Sequence, residues 1–160
     1  MPIAFCWFGS IAGSLPSSAR LQFSGQRRSS DGIAADCAER QVLGPDIAVA
    51  IEVIDETNTR VNVPQLLERF RSNGNFGLVA LVGVQSNQYP RALDIARPFR
   101  AAGIPVAMGG FHVSGCLSML DGRAVGLDAC RDMGISMFAG EAEGRLEMLL
   151  QDAVACPIHQ

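Results

Sequence analysis

Residues 76–110, FGLVALVGVQSNQYPRALDIARPFRAAGIPVAMGG, hold one complete strand–helix–strand unit, and its reading decides the fold. Phe76 to Val84 is continuously apolar, as expected of a strand covered on both faces. Pro90 opens a helix in which Ala92, Ile95, Ala96 and Phe99 line one side. Pro98 inside that helix is expected to bend it, and Gly103 to cap its end. Ile104 to Met108 is a second short strand. Two strands joined by a helix call for parallel pairing with a right-handed crossover.

The pattern repeats outward from this unit. On the amino-terminal side, Ala34 to Leu43 reads as a helix stopped by Gly44-Pro45, and Ile47 to Ile54 as a β-branched strand. Pro64 then starts a helix with Val63, Leu66, Leu67 and Phe70 at helical spacing. On the carboxyl side, helical sequence runs between Ser114 and Met133 with a break at Asp121-Gly122, and Ile135 to Ala139 is a last strand. Leu146, Leu149, Leu150 and Ala153 make a closing amphipathic helix. The expected architecture is α/β, a doubly wound flavodoxin-like parallel sheet with helices on both faces, over residues 34–156. Residues 1–33 form an atypical segment: Gly9 to Gly32 is rich in Ser, Gly and Arg without periodicity and reads as loop or disorder. Within it, Ile3 to Phe8 could be a short buried strand.

Composition removes several functions. The chain has 160 residues, enough for one domain with a real core. All 13 basic residues are arginines, the formal net charge is −3, and nothing suggests a polyanion-binding surface, so nucleic acid is not an expected partner. Without lysine there is neither a P-loop nor the lysine of a response-regulator receiver, and no G-x-G-x-x-G follows a strand. The five cysteines are odd in number and widely spaced with no C-x-x-C pair, so reduced thiols in a cytoplasmic protein are expected rather than disulfides or zinc. No apolar run approaches the roughly 20 residues that span a bilayer. The apolar start, Ile3 to Ala12, lacks a preceding positive charge and is not expected to be a secretory signal.

In sheets of this kind ligands bind beyond the carboxyl ends of the strands. Three loops follow such ends: Gln85-Ser86-Asn87-Gln88-Tyr89-Pro90, Gly109-Gly110-Phe111-His112-Val113-Ser114-Gly115 and Gly140-Glu141-Ala142-Glu143-Gly144. All are small, polar or glycine-rich, and paired glycines let backbone approach a flat ligand. The bland alternatives are a tight turn at Gly109-Gly110, helix capping by Ser86 or Asn87, and complementation of a helix dipole by Glu141 and Glu143.

GIPVAMGGFHVSG (103–115), followed by GISMFAGEAEGR (134–145), resembles the cobalamin-binding domains of radical-SAM proteins, in which a Gly-Gly pair ends the fourth strand and an acidic turn the fifth. IAVAIEVIDE (47–56) and VALVGVQSNQYPRALDIARPFRAAG (79–103) resemble that family's second and third strands with their connections. The resemblance implies cobalamin bound by Gln85, Ser86, Asn87, Gly109, Gly110, Phe111, His112, Gly140, Glu141 and Glu143. The D-x-H-x-x-G motif that supplies a cobalt-ligating histidine is missing, so no protein histidine would ligate the metal. The C-x-x-x-C-x-x-C cluster motif is missing too. The expectation is a binding domain with no iron–sulfur cluster and no catalysis of its own, a fragment truncated before a radical-SAM core that another chain could supply.

Two other readings stand beside it, besides an α/β fragment that binds nothing. Gly9-Ser10-Ile11-Ala12-Gly13-Ser14 loosely imitates a flavodoxin phosphate loop and would suit a flavin. Cys116 and His112, four residues apart, would suit a cysteine hydrolase if a helix begins by Val113, but no third, orienting group is evident.

Overall fold

The computed structural model describes residues 4–10, 36–37, 39–44, 49–55, 60–72, 77–119, 126–140 and 146–155. Its strands are β1 (Ala4–Ser10), β2 (Val49–Asp55), β3 (Gly77–Val82), β4 (Val106–Gly109) and β5 (Ser136–Phe138). Its helices are α1 (Val63–Ser72), α2 (Tyr89–Ala101), α3 (Phe111–Met119), α4 (Asp128–Asp132) and α5 (Leu146–Ala155). The five strands form one sheet in the order β2-β1-β3-β4-β5.

The α/β expectation holds in β3-β4-β5, a three-stranded parallel sheet with helical connections. The expectation of an all-parallel sheet fails at β1, which lies between β2 and β3 and is antiparallel to both. Ala4 opposes Asp55 and Val82, so the beginning of β1 sits at the carboxyl ends of its neighbours. Gly9 and Ser10, expected in a loop, are the last residues of β1, and the rest of the expected loop, residues 11–32, lies outside the described residues.

Strand β3 shows why its sequence is apolar throughout. Val79 and Leu81 face one core, with Val106, Met108, Phe70, Ile95, Phe99, Val113, Leu127 and Cys130. Leu78 and Ala80 face the other, with Ala107, Cys37, Leu146 and Leu150. Alternate residues thus bury opposite faces, and helical residues cover both. Helix α1 is capped by the preceding Asn62, whose Oδ1 accepts the Gln65 N–H at 3.2 Å. Phe70 of α1 meets Phe99 of α2 edge to face, ring centroids 5.9 Å apart, a geometry worth about 0.5–1.5 kcal/mol beyond the buried area.

Two helices end alike. After α2, Gly103 (φ +77°) donates to Arg100 O, and Ile104 N–H reaches back to Phe99 O at 2.9 Å. After α4, Gly134 (φ +65°) donates to Arg131 O, and Ile135 N–H to Cys130 O at 2.8 Å. Both are Schellman closures with a buried isoleucine just beyond the glycine, and they feed the chain into β4 and β5. Arg100 joins the two ends through Nε to Met133 O (2.8 Å) and Nη1 to Ile104 O (3.2 Å).

The helix expected from Ser114 begins earlier, at Phe111, because Gly110 (φ +138°) turns the chain directly out of β4. Among the described residues, no helix is long and apolar enough to cross a membrane.

Candidate functional site at the carboxyl edge of the parallel strands

The parallel order carries the ends of β3, β4 and β5 to one edge, and side-chain bonds lace the loops there. From the β3–α2 loop, exposed Ser86 places Oγ 3.1 Å from His112 Nδ1 at the start of α3. From α3, Ser114 Oγ accepts the Gly140 N–H at 3.0 Å. Backbone bonds reinforce the first junction: Val84 N–H to Gly109 O (3.0 Å) and His112 N–H to Val84 O (3.1 Å).

Several expected site residues acquire definite surroundings. The Gln85 N–H donates to Gln88 Oε1 at 3.1 Å, a small loop that sets up α2. The N-cap position of α2 is Gln88, which makes no side-chain capping bond into the helix, and neither Ser86 nor Asn87 holds that position; Ser86 turns to His112, and Asn87 is exposed. Phe111 is 81% exposed at the head of α3. Glu141 and Glu143 lie outside the described residues.

The three glycines differ. A Cβ at Gly110 would lie 2.2 Å from Val84 N and 2.7 Å from Val84 O. Its lack of a side chain therefore allows close packing against the chain's own β3–α2 loop, as a tight turn requires. A Cβ at Gly109 would press on Phe138 Cβ at 3.3 Å. Gly140 is the one of the three with open space, nothing among the described residues lying within 4 Å of its Cβ position, and its φ is +84°.

A second set of contacts runs inward. Tyr89 stacks on His112, centroids 4.4 Å apart and planes tilted by 39°. The Tyr89 hydroxyl lies 3.3 Å from Cys130 Sγ, and Cys130 is 3.8 Å from Met108 Sδ. Burial pushes the Tyr89 phenol well above its ordinary range, and the bond to Cys130 adds to the shift. Burial likewise raises the Cys130 thiol, with the Tyr89 bond opposing.

On its other side, His112 Nε2 lies 3.9 Å from Cys116 Sγ. Sequence reasoning supplied the pair and, separately, Ser86 as a ligand-loop residue, but not their connection: Ser86 stands 26 residues before His112 and reaches it through sheet topology. The early start of α3 puts both His112 and Cys116 on one helix. Among the described residues, no group of three or more His, Cys, Asp or Glu could hold a metal ion.

Of the loose phosphate-loop sequence only Gly9 and Ser10 are described, residues 11–14 lying outside the described residues. Gly9 and Ser10 pair with Ala50, Gly77 and Val49, at the amino ends of β2 and β3. No family model, no curated protein and no solved structure matches the chain.

Proposed function

We propose that this chain is a cobalamin-binding domain of flavodoxin-like, doubly wound type, resembling those that precede radical-SAM cores, and that it acts in the cytoplasm. The observation that carries the reading is the lacing of three loops at the carboxyl ends of β3, β4 and β5 by Ser86–His112 and Ser114–Gly140. The order β2-β1-β3-β4-β5 supports it, being the flavodoxin-type order with one strand reversed. Three thiols, Cys37, Cys116 and Cys130, are free, in keeping with a reducing compartment.

The residues present suit the ligand in part. The exposed amide of Asn87, the backbone of the β3–α2 loop and the open space over Gly140 offer hydrogen bonds and room for a flat, amide-fringed molecule. Gly109 and Gly110 are proposed to bring backbone close to the ligand, Gly110 also packing against the β3–α2 loop. Glu141 and Glu143 are proposed to close the third side. Cobalt–carbon chemistry would be the cofactor's own; this chain's residues would hold and orient it without a histidine ligand, for a radical-SAM domain on another chain.

Reversal of β1 puts its last residue, Ser10, at the edge opposite the ends of β3, β4 and β5, so β1 does not bring its own end to the site and binding should be weak. Titration of hydroxocobalamin into the full chain, read by equilibrium dialysis, should give one bound equivalent without the spectral change of histidine ligation. Gly140→Asn keeps a residue tolerant of positive φ while filling the open space, and should weaken binding by about tenfold or more, roughly 1.4 kcal/mol. Absence of stoichiometric binding to a folded sample removes the reading.

A further inference from the structure

We infer that Cys116 is a nucleophilic thiol served by His112 as base and by Ser86 as a positioning residue, and that it accepts an acyl group from an activated ester. Three features carry this. The ring stands between two partners, Nε2 3.9 Å from Cys116 Sγ and Nδ1 3.1 Å from Ser86 Oγ. Nucleophile, base and orienter are the parts that thiol acyl transfer requires, and such contacts are commonly long before substrate binds. In the tautomer this chemistry uses, Nδ1–H donates to Ser86 Oγ and Nε2 is left to take the thiol proton.

The ring is held on a second axis by the stacked Tyr89 phenol, so its orientation does not depend on one bond. Cys37 and Cys130 are buried, whereas Cys116 is only half-buried and His112 and exposed Ser86 border solvent. The named neighbours, Ser86 and the Tyr89 phenol, bring no formal charge, and largely exposed Phe111 precedes His112 in the chain. An uncharged acyl group suits such surroundings better than a charged one.

The step balances. His112 Nε2 takes the proton from Cys116, and the thiolate sulfur bonds to the acyl carbon as the ester C–O bond breaks. The departing alkoxide takes the proton back from His112, leaving a thioester. Water then attacks the thioester with His112 receiving its proton, the S–C bond breaks, the thiol is restored and a carboxylic acid leaves.

The inference does not rest on cobalamin binding, and its test contains no cobalamin. The full chain is treated with p-nitrophenyl acetate; nitrophenolate release is timed and the acetyl group is located by peptide mass spectrometry. One acetyl per chain on Cys116 is expected, absent in Cys116→Ser. His112→Ala should slow acetylation about 100-fold, and added imidazole should restore part of the rate, which a merely structural histidine would not allow. Ser86→Ala should slow it less, and Ser86→Thr should restore it. Far-UV dichroism checks that each variant is folded. Acetyl spread over the other cysteines of the unaltered chain, or an unchanged rate in His112→Ala, overturns the assignment. If His112→Ala fails to fold, the location of the acetyl group in the unaltered chain still decides.

Discussion

Gly110 and Gly115 lie five residues apart and have opposite reasons to be glycine. At Gly110, φ is +138° and a Cβ would strike the backbone of Val84, which cannot swing aside as a side chain could. Gly115 sits within α3 with nothing within 4 Å of its Cβ position. Gly110→Ala should therefore destabilise by about 2–4 kcal/mol, combining steric overlap with backbone strain. Gly115→Ala should stabilise by about 0.5–1 kcal/mol through helix propensity. Urea unfolding of the two variants checks both signs; equal effects would mean that Gly110 is not pressed against its neighbour. The sequence made GGFHVSG conspicuous without saying what the glycines approach. A glycine advertises a missing side chain, but whether ligand, loop or water fills the space depends on chain more than twenty residues away.

At the scale of elements, α2 and α4 are joined where Tyr89 meets Cys130. Both acids have native pKa values raised above their ordinary ones, chiefly by burial. Raised pKa values mean that the unfolded chain gives up these protons first, so this part of the stability is complete below the ordinary thiol range and fails above it. Stability should begin to fall from roughly pH 8.5 and fall further beyond about pH 10, where free thiols and then phenols ionise. The double variant Tyr89→Phe, Cys130→Ala should show a shallower alkaline decline in thermal unfolding, whatever its stability at neutral pH. An unchanged slope would place the alkaline sensitivity elsewhere. The elements themselves were largely legible: a continuous apolar run identified β3, the spacing of Ala92, Ile95, Ala96 and Phe99 identified α2, and Gly103 marked its end. The start of α3 was not, because Gly109-Gly110 suggested a longer loop before helical spacing resumed. That three-residue difference placed His112 on the helix and with it the contact to Cys116.

For the whole molecule, the sequence established alternation of strand and helix but not the direction of β1. Apolar character marks a strand as buried in a sheet and says nothing of its polarity; direction normally follows from the connection, and residues 11–33 carry no crossover-helix pattern. The structure then predicts how the molecule comes apart. Trp7, the sole tryptophan, lies in β1 opposite Glu52 and Val79, so its fluorescence reports on the reversed strand alone. A strand hydrogen-bonded on both sides should leave with the rest of the sheet, and denaturation followed by Trp7 fluorescence and by far-UV dichroism should give coincident curves. Fluorescence changing at lower denaturant would show β1 detaching first. The same strand bears on how fast the molecule assembles. Ala4 must find Val82 across about half of the chain, so the loop is long and its closure is paid before any contact rewards it. Until β1 is seated, Val49–Asp55 and Gly77–Val82 present bare edges to any other copy nearby. Refolding yield should then fall with protein concentration, the penalty of closing a sheet from its middle.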